Sequence, residues 1–145
     1  MKLAKNPGTR LLTLDAGNNQ VNPSIRHGTY NFVRAVTSDG THVYTTKGDG
    51  NVKKFTRDLV FVKQISIAGA QTLNGITYGA GHFWTWDQGA RKIRKHDPDD
   101  FSELSAISWS GIGLGMTYSA NFPTNDPSPA LYINSRGTLY RFPSC

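Results

Sequence analysis

A forty-residue period runs through this chain and limits what it can fold into more than any other feature. The segments Ala35-Val36-Thr37, Gly75-Ile76-Thr77-Tyr78 and Gly115-Met116-Thr117-Tyr118 each read as a small residue, an apolar residue and then threonine. Their apolar members stand forty positions apart. A second apolar run follows each one: Val43-Tyr44-Thr45-Thr46, Phe83-Trp84-Thr85-Trp86 and, after an Asn- and Pro-rich insertion at Ala120 to Pro129, Leu131-Tyr132-Ile133-Asn134. β-branched and aromatic residues in runs this short predict strands, and the insertion predicts a surface loop.

The third strand of the period is the most regular. Val52-Lys53-Lys54-Phe55, Ile93-Arg94-Lys95-His96 and Leu139-Tyr140-Arg141-Phe142 each place a cation two positions after an apolar residue and a ring directly after the cation. The turns before them, Gly48-Asp49-Gly50, Asp87-Gln88-Gly89 and Ser135-Arg136-Gly137, contain glycine where a tight hairpin needs positive φ. A fourth strand occurs twice, as Leu59, Val62, Ile65 and as Phe101, Leu104, Ile107, with Asp58 and Asp100 standing before them. Val52, Phe55, Leu59 and Val62 also fit helical spacing, but Asp97-Pro98-Asp99-Asp100 in the matching stretch favours a turn, so the shared structure is a hairpin. After Phe142 no fourth strand follows; Leu11 and Leu14, three apart within Arg10 to Asp15, match the missing one at the other end of the chain.

Four strands in about forty residues is the size of a propeller blade. The pattern resembles the β-propeller superfamily in its NHL-like or lactonase-like form, over Arg10 to Phe142. Gly81-His82 and Trp86-Asp87 are the dipeptides of a WD40 blade at the wrong separation. The resemblance implies one all-β domain of three four-stranded blades, a half-propeller. The blades fall at about 31–67, 72–108 and 112–143, with strand 10–15 completing the third. Rings have about four to eight blades, so two chains related by a two-fold axis would close a six-bladed ring. In such a homodimer Leu11 and Leu14 pair with Leu139 and Phe142 of the other copy as a swapped strand.

The expected core is Val36, Val43, Val52, Ile76, Phe83, Ile93, Met116, Leu131 and Leu139. The lone cysteine, Cys145, rules out a disulfide within the chain, and the first residues lack the apolar stretch of a signal peptide, which predicts a protein made in the cytoplasm. No apolar run reaches the length of a membrane span. The net charge of +6 favours anionic neighbours.

Three groups of residues invite a functional reading. Trp84, Trp86 and Trp109 could stack on sugar rings, although rings between blades also serve as packing. Lys53, Lys54, Arg94, Lys95 and Arg141 recur once per blade and would form a basic ring facing a polyanion or an acidic protein. Asp97, Asp99 and Asp100 lack the glycine and distal Glu of a calcium loop and suit a turn; His42 and His82, at matching positions, suit a shared turn hydrogen bond. In lactonase-like relatives a divalent metal is held by carboxylates and amides at the central channel. Here the corresponding starts of the first strands are Arg34, Asn74 and Leu114, without a carboxylate. No nucleophile–base motif is present, and no cofactor or metal site is expected. The expected function is a non-catalytic structural or attachment module that assembles with itself and other protein subunits, as in the tail, neck or head surface of a phage virion. A carbohydrate-binding propeller lectin is the alternative, and a lactonase-like metal-dependent hydrolase the third.

Overall fold

The computed structural model describes residues 10–11, 25–26, 33–113, 115–120 and 129–143. It is all-β. Strands β1 (Arg10–Leu11) and β2 (Ile25–Arg26) form a small antiparallel pair. The first large sheet has the order β3 (Ala35–Ser38), β4 (His42–Thr46), β5 (Asn51–Thr56), β6 (Phe61–Ser66). The second repeats it with β7 (Leu73–Gly79), β8 (His82–Asp87), β9 (Lys92–His96) and β10 (Glu103–Ser108). The third contains β11 (Gly115–Ser119), β12 (Ala130–Ser135) and β13 (Thr138–Pro143). Every pairing in these meanders is antiparallel, with neighbours in sequence adjacent in the sheet. The stretch with helical spacing is the β5–β6 hairpin.

Short turns explain the meander. Arg136 and Gly137 both have positive φ (49° and 80°), the two-residue turn whose twist matches the flanking strands. In the second sheet the positive φ falls on Arg91 (53°), beyond Gly89. Gly89 is required by space instead, since a Cβ there would lie 2.6 Å from that of Gln71. Before the outer strands, Leu59 and Phe101 hold matching φ of 61° and 64° and are both buried. Asp97 and Asp100 accept the N–H groups of Asp99 and Ser102 and hold the turn at Phe101.

The sheets stack face to face as three blades, with a core in each gap. Tyr44, Val52, Leu73, Ile76, Phe83 and Phe101 fill the first gap; Trp84, Trp86, Ile93, Leu131 and Ile133 fill the second. Alternation along each strand sends one set of side chains to each neighbour, so Phe83 faces the first blade and Trp84 the third.

The recurring threonines join the blades. Thr37 Oγ1 accepts the N–H of Tyr78 at 3.1 Å, and Thr77 Oγ1 accepts that of Tyr118 at 3.2 Å. Each innermost strand thus satisfies a backbone donor on the innermost strand of the next blade. This accounts for threonine at the third place of the repeated triplet.

Two core expectations are corrected. Val36 is 55% and Leu139 63% exposed, although their counterparts Ile76 and Ile93 are buried. The reason is position: Val36 lies on the face of the first blade turned away from the second, and Leu139 on the face of the third turned away from the second. Within the chain Arg10 lies opposite Arg26 and Leu11 opposite Ile25, and Leu14 lies outside the described residues. The third sheet therefore has three described strands rather than four. The insertion, apart from its ends, and Leu114 and Cys145 are likewise outside them.

Candidate interaction surfaces

The middle blade contains a buried polar network that ties its strands to the connection from the first blade. Asp87 accepts the N–H groups of Gln71, Thr72 and Ala90 at 2.9 to 3.1 Å. Arg94 reaches Asp87 at 3.4 Å, donates to the Gly69 carbonyl at 3.0 Å and pairs with Glu103. Burial pushes the Asp87 carboxyl up, but the three backbone donors and the guanidinium outweigh it and hold it below its usual range. Beside this network His96 is fully buried. Its Nδ1 donates to the Phe101 carbonyl at 3.1 Å, which leaves Nε2 to accept the Thr85 hydroxyl at 2.8 Å. Burial, helped by the charge of Arg94, pushes the imidazole down to about 4, so it is neutral at pH 7.

A polar cleft opens where the first two blades meet, lined by Asp39, Thr41, His42, Tyr44, Lys54, Tyr78, Pro98 and Asp99. The Tyr44 hydroxyl donates to Asp39 at 2.7 Å, and Asp39 also accepts from Thr41 and His42. Burial acts against the Asp39 charge, yet these donors hold the carboxyl far below its usual range; burial and the Asp39 charge together push the Tyr44 phenol up. The histidines act within the turns. His42 Nδ1 lies 3.0 Å from Thr41 Oγ1, and His82 Nδ1 donates to the Ala80 carbonyl at 2.8 Å.

An apolar cleft opens at the outer edge between the second and third blades, lined by Trp84, Ile93, Lys95, Ile107, Leu131 and Phe142 among others. By repeat position, Trp84, Leu131 and Phe142 correspond to Tyr44, Phe83 and His96. In the first gap those three rings hold Phe101, at centroid distances of 5.8, 4.4 and 5.9 Å. The cleft is thus the same socket, unfilled because no outer strand follows β13 among the described residues.

Two groups of sequence candidates need correction. Trp84 and Trp86 are 6% and 1% exposed, so neither presents an open face to a sugar; only Trp109 stays half-buried, packed against Trp86, Tyr140 and Phe142. Alternation turned the first two inward against the third blade. Arg94 is buried in its ion pairs, so it cannot join a basic ring. The cations that follow the repeat outward are Lys54 over the Tyr44 ring and Lys95 over the Trp84 ring, at 5.5 and 5.3 Å, and Arg141 sits opposite Tyr132 in the third blade. Lys53 lies over Phe61 at 5.8 Å. Lys53, Lys54 and Lys95 each cover an aromatic ring, which is a packing role.

Asn74, at the start of the second blade, donates to Gln88 and leaves its Oδ1 buried without a partner. Arg34, its counterpart, is exposed. Among the described residues no three His, Cys, Asp or Glu side chains converge as a metal ligand set. Among the described residues no helix is long and apolar enough to cross a membrane.

No family model matches the sequence, and no curated protein matches it. The fold does have solved counterparts. The glutaminyl cyclase of Myxococcus xanthus, a six-bladed propeller, aligns with a TM-score of 0.66 at 11% identity, over 94% of this chain and 68% of that one. BBS1N in complex with ARL6DN aligns at 0.62 and 18% identity, over 94% and 44%. The WD40 β-propeller domain of Doa1 aligns at 0.58 and 16% identity, over 81% and 39%. The chain thus spans between about two fifths and two thirds of these longer proteins. At such identities the likeness concerns fold: the three blades form a half-propeller.

Proposed function

We propose that this chain is a non-catalytic protein-interaction module whose work is done by the open faces of its two end blades. One observation carries the reading. Positions buried in the middle blade are exposed at the ends: Val36 and Leu139 against Ile76 and Ile93. Phe61, on the same face as Val36, is 54% exposed as well. Exposed apolar residues on a sheet face ask for a protein cover. The propeller fold hosts many unrelated functions, so the reading rests on these faces and not on the fold.

A structural part of a virion is the finer form of the reading, and copurification with particles tests it. The lectin alternative has lost the two tryptophan faces it relied on. For the module itself the test is association. Val36→Asp with Leu139→Asp is expected to abolish the association of the purified protein with protein partners, its own copies included, and to leave the middle blade folded. A wild-type chain that stays a folded monomer and captures no protein overturns the reading, as does stoichiometric divalent metal with hydrolase activity.

A further inference from the structure

We infer that the cover of the end blades is a second copy of this chain, docked so that Thr117 of each copy accepts the backbone N–H of Ser38 in the other. The inference rests on the interaction-module reading and names its partner.

The argument begins with the bond that joins the blades inside the chain. Thr37 Oγ1 takes the N–H of residue 78, and Thr77 Oγ1 takes the N–H of residue 118, a step of 41 positions both times. Thr117 is the next member of the series. It occupies the same place on β11 that Thr77 occupies on β7, and it is exposed on the face turned away from the second blade. No such partner exists for it among the described residues. At the other end, Ser38 occupies on β3 the place that Tyr78 and Tyr118 occupy on β7 and β11. The N–H of those residues is the one taken by the preceding threonine, and Ser38 too is exposed. One end of the chain therefore offers the acceptor of the series and the other end offers its donor.

The apolar residues around these two groups agree. Val36 stands two residues before Ser38 on the same face of the first blade, Phe61 lies on that face at the outer strand, and Leu139 shares the face of Thr117 on the third; all three are exposed. The counterparts of Val36 and Leu139, Ile76 and Ile93, are side chains packed in the gaps between the blades. A face that follows the rule of the chain's own blade contacts fits the opposite face of the same chain. Two copies give six blades, within the range in which propeller rings close. A two-fold axis uses both faces of each copy once and leaves none open.

The test uses two single-cysteine chains, each on a Cys145→Ser background: Thr117→Cys and Ser38→Cys. In the two-fold ring the two copies of position 117 lie in different interfaces, as do those of position 38. Oxidation is therefore expected to give a covalent dimer when the two variants are mixed, and little when either is oxidised alone. The native mass of the unmodified protein is expected to be twice 15.9 kDa. Thr117→Val keeps the shape and removes the acceptor. With two such bonds per dimer it is expected to weaken dimerisation roughly tenfold or more, read from the concentration dependence of unfolding. A monomeric native mass overturns the inference, and so does cross-linking of the single variants as strong as that of the mixture. A monomer that binds a different protein through Val36 and Leu139 overturns the inference alone and leaves the interaction-module reading standing.

Discussion

The middle blade and the two end blades follow one pattern but live in different surroundings. Ile76 and Val36 occupy the same place in their strands, as do Ile93 and Leu139, yet the first of each pair is buried and the second is exposed. The middle blade also holds the buried ion pair of Arg94 with Asp87 and the buried His96. In place of that histidine the first and third blades have Phe55 and Phe142. The difference teaches that a repeat specifies strand and register, whereas burial belongs to the pair of neighbours around a blade.

The largest effect that tests this contrast is a deletion in the covered blade. Phe83→Ala removes a ring stacked at 4.4 Å on Phe101 and 4.5 Å from Tyr44. It is expected to cost roughly 3–5 kcal/mol in denaturant unfolding. Leu139→Ala at the open face is expected to act through association, so its effect grows with protein concentration. Equal, concentration-independent losses at both sites would break the contrast between covered and open blades.

A pH series separates the blades by chemistry. His96 is held neutral, with a folded pKa of about 4 against an ordinary value of 6.5. Between those values the unfolded chain binds the proton and the folded one does not, so stability falls as pH is lowered through the window. The loss comes to about 3 kcal/mol by linkage at 1.36 kcal/mol per unit. The Asp87 carboxyl, also held low, adds its own loss at still lower pH. Unfolding midpoints that stay flat from pH 6.5 to 4 would contradict the buried neutral imidazole. A His96→Phe chain, which copies the end blades, is expected to lose most of this slope.

The smallest effect concerns the surface cations. Lys95→Ala uncovers the Trp84 ring and is expected to cost about 0.5–1 kcal/mol. Lys54→Ala over Tyr44 is expected to do the same in the first gap. Salt-dependent binding to a polyanion that disappears in these variants, with stability unchanged, would restore the basic ring as a contact surface.

Much of the fold could be read in the chain because a strand repeat is a local property. The triplets at Val36, Ile76 and Met116 and the cations of the third strands depend on neighbours one to four positions away. The hairpin turns and the aspartate turn at Asp97 belong to the same class. The joining role of Thr37 and Thr77 was visible only as a recurrence. Its partner lies 41 positions onward and is a backbone N–H, which leaves no mark in residue type. Side-chain direction was the other hidden quantity. Trp84 and Arg94 looked available by type, and alternation against a neighbouring blade buried both.

By itself the sequence determined the period, the strands of the three blades and their order. These follow from residue alternation and turn chemistry, which act over a few bonds. Only the tertiary structure decided which repeat copies became core. It set Ile76, Phe83 and Ile93 between two sheets and left Val36 and Leu139, among the described residues, with a blade on one side only. Burial is the removal of surface from water by atoms distant in the chain, and three copies of one pattern do not say which copy has a neighbour on both sides.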